Sequence, residues 1–303
     1  MSKMIQAYQR WLMVAGIATF SAVTHASEVQ YGSGTMNLQG GLLGLETDIS
    51  SPVSIYTLKE HHADILSSDW FYNYQVSYYT AQSLTGAGGL TSTSLGGDLL
   101  LSASDYELSG LDGQLTLGYD VYKRGPFDYV GFGVSLGIAT PYLKNTGEES
   151  GESSGSDDSV PVPLVDGGSA TDLIASNTEF FGYKVGPKIM ASKSFGDYAS
   201  LFAEASYAWQ TMNVENSTLD LSTDVNGSYF SYGVGMRYQP ISVKKDLGFM
   251  TINPALYMTF GVNYAKLLLD DLSVDLSGNN YDLDESQLKM DSTTLYFGLG
   301  YAF

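Results

Sequence analysis

The chain reads as an all-β protein, an antiparallel barrel that crosses a membrane with eight strands, or with ten as the alternative. Three observations carry that expectation. From Trp70 onward, successive segments place an apolar side chain at every second residue, which is the period of a strand with one greasy face. The connectors between those segments are alternately short and long, as the two ends of a membrane barrel require. The composition, with 23 Tyr, 34 Gly and 16% charged residues in 303, suits alternating strands bounded by aromatic girdles.

The first element is MSKMIQAYQRWLMVAGIATFSAVTHAS, in which Lys3 and Arg10 precede an apolar run from Trp11 to Val23, followed by Thr24, His25 and Ala26. This is the layout of a secretory signal peptide over residues 1–26, cut after Ala26. Its apolar run is shorter than the roughly 20 residues a helix needs to cross a bilayer. Removing it takes away Lys3 and Arg10 and no acidic residue, so the mature chain is more acidic than the formal −19 of the whole. Nucleic acid is an unsuitable partner for such a surface. Cysteine is absent although export leads to an oxidising compartment, so non-covalent forces must hold the fold.

Residues 27–69 form an N-terminal segment expected to be periplasmic or lumenal. YGSGTMNLQGGLLGLETDISS is Gly-rich and irregular. SPVSIYTLKEHHADIL, by contrast, offers Ser51 as a cap, Pro52 in the first turn, and Ile55, Leu58, His62 and Ile65 at helical spacing. A helix packed in or under the barrel mouth, acting as a plug, is the expectation. A loose tail, or an extra hairpin that raises the strand count to ten, are its rivals.

The barrel proper is expected over residues 70–303. Counting every second residue, its outward sets run Trp70 to Tyr78, Leu115 to Val121, Val130 to Ile138, Phe181 to Ile189, Leu201 to Trp209, Phe230 to Tyr238 and Leu256 to Tyr264. The eighth strand is TTLYFGLGYAF, which ends the sequence. Residues 123–128, 193–197 and 240–248 are the short connectors; 83–105, 143–178, 213–226 and 266–291 are the long ones. Since short turns of such barrels lie in the periplasm, the parity puts the C-terminus there. Pro187 falls mid-strand and cannot donate to a ladder, which calls for a bulge or a shifted register.

Signal peptide, alternating strands and the terminal aromatic strand YFGLGYAF together resemble the bacterial outer-membrane β-barrel proteins, the small eight-stranded members above all, with no single subfamily matched by motif. The resemblance implies residence in the outer membrane of a Gram-negative cell. It also implies that the last strand, through Phe297, Leu299, Tyr301 and Phe303, serves as the signal read by the barrel assembly machinery.

The lumen face of these strands is rich in glycine, including Gly131, Gly133, Gly137, Gly182, Gly186, Gly233, Gly235, Gly261, Gly298 and Gly300. Either they leave space for water or a guest, or they permit sharp coiling of the wall. The lumenal charges Lys184, Lys188, Glu204 and Arg237 fall on three successive strands, with Lys188 expected opposite Glu204. A structural salt-bridge ladder is one reading of them and a selectivity ring the other. Acid collects in the 143–178 loop (Glu148, Glu149, Glu152, Asp157, Asp158) and in the last long loop, whereas Lys123, Arg124, Lys193, Lys244 and Lys245 mark the short turns. No calcium-loop spacing is present, so no metal site or cofactor is assigned. In the last loop, alternation continues through Leu272, Val274 and Leu276, then GNN, then Tyr281 and Leu283, which predicts a projecting hairpin with a free edge.

Three function classes follow. A structural or surface-interaction protein, acting through its acidic outer loops on an extracellular partner and on lipid and lipopolysaccharide, demands least of the lumen. A narrow channel, or a carrier of a small hydrophobic ligand plugged by the N-terminal segment, is the alternative. A lipid-modifying enzyme is disfavoured: after cleavage the histidines left are His61 and His62, before the first expected strand, and no G-x-S-x-G or cysteine supplies a nucleophile. The chain is therefore expected not to be an enzyme, with no catalytic residue assigned.

Overall fold

In a computed structural model of the chain, ten long strands close into one antiparallel barrel. The residues described are 26–42, 45–62, 69–85, 89–92, 97–100, 105–122, 129–145, 178–196, 198–216, 221–240, 245–246, 251–252, 256–270, 273–276, 279–282 and 287–301. The expected signal peptide, apart from Ala26, and Phe303 lie outside them. In chain order the strands are β1 (Ala26–Leu42), β2 (Leu45–His62), β3 (Trp70–Thr85), β4 (Gly89–Ser92), β5 (Gly97–Leu100), β6 (Asp105–Asp120), β7 (Tyr129–Asn145), β8 (Thr178–Phe195), β9 (Ala199–Asn216), β10 (Leu221–Tyr238), β11 (Lys245–Asp246), β12 (Thr251–Ile252), β13 (Leu256–Asp270), β14 (Ser273–Leu276), β15 (Asn279–Asp282) and β16 (Gln287–Tyr301). The ring runs β1-β16-β13-β10-β9-β8-β7-β6-β3-β2 and back to β1. The remaining six strands pair off as small hairpins, β4 with β5, β11 with β12 and β14 with β15.

All eight strands expected from the two-residue period are present, and the count of ten comes from β1 and β2. This corrects the helix and the plug: residues 51–62 are extended, and no described residue is helical. In β2 the lumen side takes Ser51, Val53 and Thr57, all buried, while Pro52 and Tyr56 face out. Pro52 is tolerated because it lies beyond the last rung shared with β3, Val53↔Ala81, where its missing N–H is not needed for that ladder. Ile55 and Leu58 satisfy a helical stripe by spacing alone. The 27–69 segment is thus mostly wall, and β1 seals the ring by pairing with β16 from Ser27↔Tyr301 to Gly41↔Gln287.

The exterior follows the expected alternation. Leu115, Leu117, Val134, Leu136, Val185, Val234, Leu295 and Phe297 are each between about 40% and 70% exposed, while the residues between them are turned inward. Aromatics border this apolar band on both sides. Trp70 and Tyr119 meet edge to face at 5.5 Å near the end that carries the first and last strand residues, and Tyr207–Trp209 and Tyr232–Tyr264 contacts lie toward the other. A wall apolar outside, closed so that no ladder edge is left, is the solution hydrocarbon imposes on strands.

The two ends are called here the terminal end and the far end. The expected strict alternation of connector lengths does not hold, because at the far end β9 and β10 are separated by residues 217–220 alone, and β1 and β2 by residues 43–44. Much of the expected 213–226 loop is strand, paired out to Leu221↔Asn216. The 239–255 connector at the terminal end is longer than foreseen and includes β11 and β12. A hairpin is present there as β14–β15, with Ser273↔Asp282 and Leu276↔Asn279 as its outer rungs, but it is a two-stranded sheet separate from β13 and β16, and β14 lies against β10. Pro187 neither bulges nor slips: β7–β8 pair straight through Val134↔Pro187, and β8–β9 omit two rungs between Val185↔Trp209 and Lys188↔Ser206 without changing register.

Candidate functional site

Because side chains alternate, the lumen is built from the polar half of each strand, and its contents change with height. At the far end it is apolar. Met36, Val53, Tyr79, Ala81 and Leu108 form one buried cluster on β1, β2, β3 and β6, and Ala139, Met212, Val225, Leu267 and Leu269 form another on β7, β9, β10 and β13. Met290 of β16 packs against both. Strand extension beyond the lipid band thus produces a hydrophobic stopper made of the wall's own residues.

Below the stopper the lumen is polar and paired. Lys59 of β2 reaches Glu204 of β9 at 2.6 Å, and Lys188 of β8 reaches the other oxygen of the same carboxylate at 3.0 Å. Lys184 pairs with Asp112 of β6, and its ammonium stands 4.0 Å from the ring centre of Tyr229. Hydroxyl pairs knit adjacent strands at this level: Thr57–Ser77 at 2.9 Å, Thr116–Ser135 at 2.8 Å and Ser206–Ser231 at 2.7 Å. Glu28 accepts from Gln30 at 2.7 Å and from Thr259. A cavity of about 150 Å³ remains between these groups, lined among others by Gln75, Gln114, Lys188, Glu204 and Gln210. Its lining also takes in Met36, Ala139, Leu267 and Met290 of the apolar far end, so the space grades from polar to apolar, and it is large enough for several water molecules.

The terminal end is closed by rings. His61, Phe71 and Tyr129 meet with centroids 5.6 to 5.8 Å apart, and the Arg237 guanidinium sits 4.3 Å above the ring of Tyr257. Phe71 and Tyr257 are almost fully buried. They also answer the glycine question. A β-carbon on Gly300 would meet the Tyr257 ring, on Gly118 or Gly131 the Phe71 ring, on Gly235 or Gly261 the Tyr296 hydroxyl, on Gly137 the Lys184 stem and on Gly182 the Met212 side chain. At these positions the space is filled by large neighbours, whereas a β-carbon on Gly186 would meet the backbone of the adjacent strand, and Gly32 and Gly233 line the cavity.

Of the four lumenal charges expected from sequence, Lys188 and Glu204 meet. The register sets Lys188 opposite Ser206 and Glu204 opposite Met190, so the contact spans a rung diagonally. Lys184 takes Asp112 instead, and Arg237 lies nearer the terminal end against an aromatic face. Lys59 and Asp112 were the missing partners. Lys59 sat inside the expected helix, and Asp112 just ahead of an outward set; only correct strand assignment exposes either. Phe297 and Leu299 face outward on β16, as the expected terminal strand requires.

A second polar group lies on the exterior near the terminal end. Glu60 accepts from Ser27 Oγ at 2.5 Å and from the Tyr74 hydroxyl, and His62 Nε2 is 3.3 Å from its other oxygen. The serine is bonded to the carboxylate and not to the imidazole, so the arrangement lacks the hydroxyl–imidazole contact that activates a nucleophile. Among the described residues there is no metal-ligating cluster.

No protein-family model matches the sequence, and no curated protein matches it significantly. Among solved structures, the chain is similar to the outer membrane protease OmpT from Escherichia coli at 10% identity and a TM-score of 0.48, over 93% of this chain and 99% of that one. It is similar to the Pseudomonas putida toluene transporter TodX at 11% and 0.33, over 94% and 91%. A third is Ail, the attachment invasion locus protein of Yersinia pestis, solved with the heparin analogue sucrose octasulfate, at 9% and 0.29, over 92% and 100%. The chain has the architecture of bacterial outer-membrane β-barrels, carried here by its own closed ladder and apolar exterior.

Proposed function

We propose that this is a non-conducting, non-catalytic barrel of the outer membrane, a structural or surface-interaction protein whose activity resides in what its far end presents. The reading orients the terminal end, with the C-terminus, toward the periplasm and the far end toward the cell exterior. Lys193, near the end of β8, and Lys245 of β11 then mark the inner side, and the acidic 146–177 and 271–286 connectors the outer face. The observation that carries the reading is the lumen: two apolar clusters above, ring contacts below and paired charges between. Such an interior braces a wall and, among the described residues, leaves a cavity in place of the wide aqueous lumen of a barrel of about 16 strands. The β14–β15 hairpin and the acidic connectors are the surfaces available to an extracellular protein partner or, through cations, to lipopolysaccharide, while Phe297, Leu299, Tyr301 and Phe303 serve the assembly machinery.

The test is conductance of the full mature protein in planar bilayers at high salt. Silence is the outcome the reading requires; steady unitary steps would replace it with the narrow-channel alternative.

A further inference from the structure

Ser27 is the place where leader cleavage and wall geometry coincide. The motif Thr24-His25-Ala26 places the cut before Ser27. Among the described residues β1 runs from Ala26, and Ser27 is already paired on both sides, with Glu60 of β2 and with Tyr301 of β16. Cleavage there leaves no tail, and the new chain start is a rung of the barrel. Its amine is created inside the ladder, at the seam between the first and last strands.

The exterior group beside it now has a purpose. Glu60 points outward at the rim of the apolar band, yet its side chain is only 7% exposed. A carboxylate with so little exposure is costly unless it is paired. Ser27 and Tyr74 give it hydroxyl hydrogen bonds, and the His62 ring beside it is stacked on Tyr72 at 4.2 Å. Hydroxyls soften an anion without neutralising it, and His62 Nε2, 3.3 Å away, is a counter-charge only while the ring is protonated. Ser27 Oγ already touches Glu60, and within one serine the hydroxyl and the backbone nitrogen are about 3 Å apart by standard bond geometry. An ammonium at Ser27 is therefore a neighbour of Glu60, and a turn of the freed terminus would bring the two into an ion pair.

We propose that the mature chain starts at Ser27 and that Glu60 is the seat of its α-ammonium, so that removing the leader supplies the counter-charge that locks the seam. The covalent step is hydrolysis by a signal-peptidase-class enzyme. Water adds to the Ala26 carbonyl, the Ala26–Ser27 C–N bond breaks, the carboxylate leaves with the leader, and the Ser27 nitrogen keeps its electron pair and is protonated.

Mass spectrometry of the protein purified from membranes tests the first half: Ser27 as first residue is required, and a start elsewhere overturns the proposal. The second half is read by acetylating the folded protein at neutral pH with a water-soluble acylating reagent and following the N-terminal peptide. A carboxylate partner holds the amine protonated, so wild type should label about tenfold more slowly than Glu60→Gln, the effect of one unit of protonation equilibrium. Ser27→Ala, which keeps Glu60, should stay slow. Equal rates in wild type and Glu60→Gln overturn the pairing. Should Glu60→Gln fail to fold, native wild type against the same protein in denaturant decides it, with equal rates again fatal.

Discussion

Lys59 on β2 and Glu204 on β9 meet across the lumen at 2.6 Å although 145 residues separate them in the chain. Only a closed wall makes that contact, since the two strands stand on opposite arcs of the ring. Lys188 shares the same carboxylate at 3.0 Å, so Glu204 is the one acid between two ammonium groups.

Removing that acid should cost more than removing either base. Glu204→Gln leaves Lys59 and Lys188 facing each other without a counter-charge, and a broken buried pair costs about 3–5 kcal/mol. Lys188→Met leaves Lys59–Glu204 intact and should cost far less. Denaturant titration of the barrel in lipid vesicles, following the gel shift between folded and unfolded forms, gives both values; equal losses would mean that Glu204 is not the shared centre.

Gly300 and Tyr257 should be energetically coupled. Gly300→Ala drives a methyl into the ring and should destabilise by about 1–3 kcal/mol. In a Tyr257→Ala background the same change meets empty space and should be close to neutral. A double-mutant cycle on unfolding midpoints measures the coupling, and additive penalties would show that the glycine answers to the backbone instead.

Exterior charges should be penalised by depth. Val134 lies mid-wall, between Leu117 and Pro187, and is 57% exposed. Val134→Arg puts a cation into hydrocarbon at about 2–4 kcal/mol, whereas Val121→Arg at the terminal rim should cost about 0–1 kcal/mol. Equal penalties from vesicle unfolding would contradict the placement of the band.

Opening the stopper should change conductance. Met212 and Leu269 are fully buried at the far end, and Met290 joins the two clusters there. Truncating Met36, Met212 and Met290 together to Ala should convert a silent barrel into one with small, flickering events in planar bilayers. Continued silence in a folded triple variant would locate the constriction at the Phe71, His61 and Tyr129 level.

Legibility in the sequence tracked how purely each strand served two solvents. β7 alternates Phe132, Val134 and Leu136 with Gly133, Ser135 and Gly137 between lipid and lumen, so its period and its facing could both be read. β1 and β2 blur that signal. Ser33 and Thr35 are polar on the outward face, and Glu60 and His62 interrupt the greasy set near the rim. Ile55 and Leu58, three residues apart, fall on opposite faces of β2 but on one face of a helix, and that spacing completed the false helix. The strand extensions past the bilayer were hidden for the same reason, because outside the lipid neither face is forced to be apolar. Lys184, Lys188 and Glu204 were legible as rare charges at inward positions, but partnership needs three-dimensional neighbours. Asp112 could not be chosen for Lys184 from spacing along the chain.

The ring is closed by β1 and β16, the first and the last of the described strands in chain order. Until synthesis and export are complete, each has an unsatisfied edge, and nothing nearer in sequence can cover it. Such a precursor is an open ribbon with adhesive borders for the whole of its transit, and contacts of that sequence separation form slowly. Escort across the aqueous compartment and a surface that templates the final zippering are therefore requirements written into the topology itself.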